Sequence, residues 1–305
     1  MRIGVDIGGS HIAVGLVNNN GSIIEKVEKD WNNDDKKNFK NSIKTAILNL
    51  SKEVLKNNGY NFGDIEMIGI GSPGTIMDGK VLHARNLGID VFDIKSEIQS
   101  DVNIKVSVRN DAKCAAICEK KYGSIKDYSD AVFLTLGTGI GGAVFLDGKL
   151  LEPRRFSGFE IGHLIIHKDG NQCSCGKKGC FETYASMRCL KRMFAEKFFS
   201  DINKKLHSTD ILKLAVEQKD NPIFQSIINE YVNNLTIGLV NLIDIFEPEV
   251  ICIGGGFIYY KDLLFPLIKD NLKKGDKNFN KGAVPEITIA KMGNDAGIIG
   301  AAMQD

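Results

Sequence analysis

Two stretches of this chain share one pattern. Residues 2 to 30 read "RIGVDIGGSHIAVGLVNNNGSIIEKVEKD": an apolar strand, a glycine pair, a second apolar strand, then a polar turn into a third strand. Residues 131 to 150 read "AVFLTLGTGIGGAVFLDGKL", again apolar strand, glycine-rich reversal, apolar strand, polar turn. Runs of β-branched and apolar residues favour strands, and glycine lets the chain reverse tightly between them. Recurrence of the unit in both halves predicts a duplicated α/β architecture, with matching hairpins from two related domains facing a cleft. A chain of 305 residues also exceeds the usual size of a single core.

Between the repeats the apolar period changes. Phe39, Ile43, Ala46, Ile47, Leu50 and Val54 recur at three- and four-residue spacing, which predicts an amphipathic helix over residues 36 to 57. Strands follow at "IEMIGIG" and "IKVSVRN", then a helix at "AKCAAICEKKYG" ended by Gly123. The second half predicts helices near 182–199, 208–218 and 222–246, a buried strand "EVICIGGG", a helix around "YKDLLFPLIKDNL", a strand "EITIA" and a last helix "NDAGIIGAAM". The Asn- and Lys-rich residues 271–282 read as a solvated loop. The division expected is a smaller α/β domain, 1–120, joined by a C-terminal helix at 293–305, and a larger α/β domain, 121–292, holding a cysteine-rich loop.

Composition narrows the function class. Apolar residues make up 43% and charged residues 25%, and Lys plus Arg (39) nearly cancel Asp plus Glu (38). No long-range field points toward nucleic acid or an acidic membrane, which suits an enzyme of small molecules. The glycine pair follows only a few apolar residues at the N-terminus, and nowhere do about 18 apolar residues run together, so neither signal peptide nor membrane span is expected. A cytoplasmic location is the expectation.

In a reducing compartment clustered cysteines hold metal or do redox chemistry more often than they form disulfides. Three of the seven cysteines, Cys173, Cys175 and Cys180, fall in the loop "QCSCGKKGC", where Gly176 and Gly179 supply sharp turns. His163, in "FEIGH", completes the four N and S ligands that tetrahedral zinc takes. Cys114, Cys118, Cys189 and Cys252 read as ordinary buried thiols.

"GTGIGG" fits the dinucleotide fingerprint G-x-G-x-x-G, but that motif must open a helix, and here "AVFLDGKL" follows with a hairpin turn at Asp147-Gly148. A Walker-type G-x-x-x-x-G-K-[ST] loop is absent. Two readings remain for Gly8, Gly9 and Ser10, and for Gly137, Thr138 and Gly139. They are tight turns, or backbone N–H groups and hydroxyls that approach phosphate. Gly254, Gly255 and Gly256 follow a strand, where backbone presses against a flat ligand such as adenine or the strand simply ends. Asp6 is a carboxylate on an apolar strand; it meets a cation such as Mg²⁺, or it hydrogen-bonds the turn. Asp111, at the start of a helix in "RNDAKCAA", reads as an N-cap, as the base that accepts an alcohol's proton during phosphoryl transfer, or as both. Glu160 stands between Phe159 and Ile161, and Glu182 between Phe181 and Thr183, which suggests partial burial. With His163 they are suited to accept a ring of vicinal hydroxyls.

These residues resemble the ROK family of bacterial sugar kinases and sugar-responsive repressors. The matching stretches are "DIGGSHIAVGLV", "GIGSPG", "RNDAKCAA", "LTLGTGIGGAVFLDGKLL", "FEIGHLII", "CSCGKKGCFETYAS", "PEVICIGGG" and "NDAGIIGAAM", in family order over nearly the whole chain. The resemblance implies the actin-like ATPase and sugar kinase fold (ribonuclease H-like), two α/β domains hinged around a cleft, and a homodimer. It implies Asp111 as base for a hexose 6-hydroxyl, with Asn86, Asn110, Glu160, His163 and Glu182 binding sugar hydroxyls. Asp6, the two glycine turns and Gly254 to Gly256 would hold Mg-ATP, and zinc would sit on His163, Cys173, Cys175 and Cys180. Departures lie at Phe159, where the family usually has glycine, in "EPRRFSG" with its Arg154-Arg155 pair, and after Asn86, where a frequent tryptophan is missing. The activity implied is a glucokinase of glycolysis making glucose 6-phosphate. N-acetylmannosamine or another hexose is the alternative, and a sugar-sensing repressor the rival from a different class. Those repressors carry a helix-turn-helix ahead of the sugar domain, whereas this sequence opens on a strand at residue 2, so DNA binding is not expected.

Overall fold

Strand β1 (Arg2–Ile7), β2 (His11–Val17) and β3 (Ile23–Asp30) form an antiparallel meander in the computed structural model, which describes residues 1–153, 159–199, 206–275 and 284–304. β1 and β2 are almost wholly buried, whereas β3 alternates between half-buried and exposed residues. That difference makes β3 the edge, and its charged side chains discourage pairing with another chain. The helix expected over 36–57 is two helices, α1 (Asn33–Lys37) and α2 (Phe39–Asn57). Asn32 and Asp35 cap α1 reciprocally, at 2.8 and 3.1 Å, and Asn38 leaves helical geometry between the two.

The chain continues through β4 (Met67–Ser72), β5 (Thr75–Met77), β6 (Lys80–Ala84), β7 (Ile89–Phe92), α3 (Ile94–Val102), β8 (Lys105–Asn110) and α4 (Asp111–Tyr122). The main sheet has the order β3-β2-β1-β4-β8, with β1, β4 and β8 parallel; β5, β6 and β7 make a separate antiparallel sheet. A second five-stranded sheet is built from β9 (Ala131–Leu136), β10 (Ile140–Leu146) and β11 (Lys149–Leu150), then β12 (Val250–Gly255) and β13 (Glu286–Ile289). Its order, β11-β10-β9-β12-β13, repeats the first, with a hairpin on one side and parallel strands on the other. Asp147 and Gly148 both have positive φ, 51° and 73°, the two-residue turn that matches strand twist.

Helices α5 (Glu182–Ala185), α6 (Met187–Phe198), α7 (Ser208–Glu217), α8 (Pro222–Phe246) and α9 (Lys261–Gly275) accompany the second sheet. The single helix expected over 182–199 breaks at Ser186, which is extended and whose hydroxyl accepts from the Cys189 N–H at 3.2 Å. The solvated loop expected from residue 271 instead begins as helix, because α9 runs to Gly275; residues 276–283 lie outside the described ones.

The chain forms two compact units. One comprises Met1–Lys126, Glu152–Gly158 and Met292–Asp305; the other comprises Asp127–Leu151 and Phe159–Lys291. Each has its own core. Ile3, Val5, Ile12, Val14, Ile47 and Ile68 are fully buried in the first, and Leu134, Phe181, Phe194, Leu239, Ile253 and Phe257 in the second. Each such side chain contributes about 1.5–3 kcal/mol of hydrophobic stabilisation. The last helix, α10 (Ala296–Ala302), returns to the first unit and lies on β1, β4 and α4. Gly69 of β4 lies so close to the Ala301 carbonyl that any side chain there would collide. Glu119 of α4 is fully buried, and its two carboxylate oxygens accept from the backbone N–H groups of Ser124 and Met292, both at 2.7 Å. Among the described residues no helix is long and apolar enough to cross a membrane.

Candidate functional site

In the first unit the β1–β2 connection is a tight turn. The Gly8 N–H donates to the His11 carbonyl at 2.8 Å, and Gly9 and Ser10 are exposed at the tip. Ser10 Oγ lies 3.1 Å from His11 Nδ1. Among the described residues the Gly9 and Ser10 N–H groups have no hydrogen-bond partner, so they are available to an acceptor. Asn86, in a short 3₁₀ turn after β6, flanks this tip: a Cβ on Gly9 would lie 3.6 Å from its carbonyl and 3.9 Å from its Nδ2.

Asp6, one residue before the end of β1, has its carboxyl pushed up to about 6, first by burial, then by the Asp111 charge, with His11 opposing. Asp111 is the first residue of α4. The cap is Asn110, which corrects the N-cap reading of Asp111: Asn110 is extended (φ −63°, ψ 142°), and its Oδ1 accepts from the Ala112 N–H at 3.1 Å. Its Nδ2 donates to the Gly74 carbonyl at 3.1 Å, which fixes the side chain from both ends. Asp111 Oδ1 also accepts from the Ala112 N–H, at 2.9 Å. The first unit therefore brings together Asp6, Asp111, Asn110, Asn86 and the turn Gly8–Ser10.

In the second unit the β9–β10 connection repeats this turn. The Gly137 N–H donates to the Gly139 carbonyl at 2.9 Å, Thr138 is exposed at the tip, and β10 follows directly. The strand after the glycines is what separates this loop from a dinucleotide fold. Gly254 and Gly255 pair in register with Thr135 and Leu136, so the triple glycine ends beside the same turn. Gly255 has φ 71° and sits against the Leu136 carbonyl, a position that glycine alone fills without strain. Glu182 Oε2 approaches Gly139 from the other side.

His163, Cys173, Cys175 and Cys180 converge, with all four ligand atoms within 4.8 Å of one another. The loop closes because Gly176 and Gly179 take positive φ, 95° and 81°, and because Ile165 bridges Cys180 and Gln172 bridges Lys178. Cys175 Sγ lies 3.6 Å from Cys180 Sγ, and Cys173 Sγ 3.5 Å from His163 Nδ1. A tetrahedral ion about 2.3 Å from each sulfur sets such atoms roughly 3.8 Å apart, so the donor set fits zinc. Burial pushes the Cys173 thiol up to about 12. At Cys175 burial acts the same way, but the Lys177 backbone N–H and the neighbouring thiols outweigh it and hold the thiol below its ordinary value. Glu182 Oε1 accepts from Cys173 Sγ at 3.2 Å and lies 3.7 Å from His163 Nδ1, so one carboxylate touches both the thiol–imidazole cluster and the second glycine turn. Glu160 is exposed, a correction to its expected partial burial, because the residue before it turns outward: Phe159 has φ 59°. That left-handed backbone costs a side-chain-bearing residue on the order of 1–2 kcal/mol. Arg154 and Arg155 lie outside the described residues.

Sequence reasoning missed two contacts on the glycine turns. The Trp31 indole N–H donates to the Gly8 carbonyl at 2.9 Å, and the Arg188 backbone N–H donates to the Gly137 carbonyl at 3.2 Å. Neither has a local signal, since each donor lies far along the chain from its acceptor.

Two sheets of one strand order, each with a glycine turn in its hairpin, define the duplicated α/β architecture of actin-like ATPases and sugar kinases. Residues 2–304 match the ROK family, and the chain belongs to it. It is 32% identical to a glucokinase of Thermotoga maritima, over 98% of this chain and 95% of that protein. A crystal structure of a ROK family glucokinase from Streptomyces griseus, in complex with glucose and AMPPNP, is similar at a TM-score of 0.81 and 28% identity, covering 99% of this chain and 97% of that one. A xylose repressor of Caldicellulosiruptor bescii is 30% identical over 88% of this chain and 69% of the repressor.

Proposed function

We propose that the protein is an ATP-dependent hexose kinase that phosphorylates the 6-hydroxyl, with glucose as its substrate. The hydroxyl oxygen attacks the γ-phosphorus, the bond to the bridging oxygen of ADP breaks, and the hydroxyl proton passes to Asp111. Asn110, Asn86, Glu160, His163 and Glu182 bind and orient the other hydroxyls. The free N–H groups of the turn Gly8–Ser10, and Gly137–Gly139, hold the phosphates; Gly254–Gly256 support the adenine; Asp6 faces the Mg²⁺ that accompanies ATP. His163, Cys173, Cys175 and Cys180 hold zinc, which supplies rigidity: with Nδ1 turned to the cluster, the imidazole presents its other nitrogen in a fixed orientation. The protein acts in the cytoplasm as a homodimer.

The observation that carries this reading is the acid pair in the first unit. Burial first, and then repulsion from the Asp111 charge, lift Asp6 to about 6. A protein that merely senses sugar gains nothing from that repulsion, whereas a phosphoryl-transfer site needs one acid as base and a second to meet the cation. Similarity to glucokinases along almost their whole length supports the choice of hexose.

Coupled release of ADP over a panel of sugars tests the reading. Turnover of glucose is expected. Turnover of N-acetylmannosamine with none of glucose reassigns the substrate, and no turnover of any hexose together with tight, specific binding to DNA moves the protein to the repressors.

A further inference from the structure

The two glycine turns are held in the same way by unlike donors. In each, the carbonyl of the first glycine is tied back to the protein: Gly137 O to the Arg188 backbone N–H, and Gly8 O to the Trp31 indole N–H. A trans peptide is planar, so its carbonyl and the following N–H point in opposite directions. Fixing the Gly8 carbonyl therefore aims the Gly9 N–H the other way, into the exposed tip of the turn. The peptide joining Gly8 to Gly9 has glycine on both sides, and glycine populates both signs of φ readily, so without an anchor this plane is free to flip. Trp31 anchors the turn twice, because its backbone N–H also donates to the Ser10 carbonyl at 2.8 Å.

The ring itself is held. Trp31 is only 8% exposed. It packs edge-on against Phe39 with centroids 5.0 Å apart at 88°, and Lys29 Nζ lies 5.4 Å from its centroid. Lys29 in turn pairs with Asp35 at 2.7 Å, the residue that closes the cap of α1. The indole N–H thus has one orientation, and that orientation points at Gly8.

We propose that Trp31 is a positioning residue of the nucleotide site: its indole N–H locks the Gly8–Gly9 peptide so that the Gly9 N–H faces phosphate. The inference rests on the kinase reading above. Its second-unit counterpart uses a backbone donor, the Arg188 N–H, which every residue except proline supplies, so only the first turn depends on one particular side chain.

Trp31→Phe keeps an aromatic ring against Phe39 and removes the indole N–H together with part of the buried ring. Phe39→Leu loosens the packing while leaving the donor. Affinity for AMPPNP by calorimetry, KM for ATP and for hexose, and the thermal midpoint are measured for the wild type and both variants. Trp31→Phe is expected to weaken AMPPNP and raise KM for ATP about five- to tenfold, the effect of one lost hydrogen bond, with hexose KM unchanged and the midpoint lowered by the smaller buried ring. Phe39→Leu is expected to lower the midpoint with nucleotide affinity unchanged. Wild-type nucleotide affinity in Trp31→Phe, or parallel losses of affinity and midpoint in both variants, overturns the role of Trp31 while leaving the kinase reading intact. A wild-type protein that binds no AMPPNP overturns the kinase reading, and this inference with it.

Discussion

The two five-stranded sheets have one strand order and carry different chemistry. β1 ends Asp6-Ile7 before its glycine turn, and β9 ends Thr135-Leu136 before the other, so the same strand position holds an acid in one unit and a hydroxyl in the other. Asp6 is raised by burial and by Asp111. Thr135 sits against Gly255, supporting the triple glycine instead. The thiol–imidazole cluster belongs only to the second unit, inserted after β11 and before α5. Duplication of the frame thus supplied two turns, and single residues at equivalent places divided the work.

That division can be broken residue by residue. Asp111→Asn should cut hexose phosphorylation by about 10² or more with metal content unchanged, as loss of a positioned base does. Near-normal turnover in the coupled assay would remove Asp111 from that role. Cys175→Ser attacks the other unit. It should release zinc, lower the thermal midpoint on the order of 10 °C and weaken hexose binding, because metal binding is folding energy. Metal analysis that finds no zinc in the wild type contradicts the assignment.

A smaller effect is expected at Asp6, with the opposite sign. Its folded-state value near 6 lies above the ordinary 3.8, so the cost of ionising it is absent below 3.8, grows between the two, and is complete above about 6. Asp6→Asn should therefore raise stability in urea by about 3 kcal/mol at pH 8 and change it little at pH 4. Equal gains at both values would mean that the acid is not the source. The smallest effect belongs to Cys118→Ala, a fully buried thiol on α4, expected to cost about 1 kcal/mol with zinc content unchanged. Loss of metal there would blur the distinction between the loop cysteines and the core ones.

Much of the frame was legible because its signals are local. Apolar strands flanking glycine announce a hairpin, and in the second repeat Asp147-Gly148 announces the next turn. The cysteine loop was legible for the same reason, since glycines and ligands lie within one short stretch. The sheet β5-β6-β7 was not, because its strands are three to five residues long, β5 is half-buried throughout, and β6 and β7 mix buried with exposed positions without alternation. The cap of α4 was misplaced by one residue: Asn110 and Asp111 are both good caps, and only the backbone angles show which lies outside the helix. Glu160 reads as buried from its neighbours Phe159 and Ile161, but the positive φ at Phe159 defeats inference by adjacency. The tie between Trp31 and Gly8 depends on β1 and β3 both pairing with β2, so that their ends come to one side of the meander, which no local pattern announces.

Helix α10 has a consequence for how the protein is made. The face of β1 and β4 that it covers is synthesised long before its cover, because β9 to β13 and α5 to α9 all lie between β4 and α10 in the chain. Until α10 emerges, those strands must wait with that face bare, an interval in which a chaperone has something to hold.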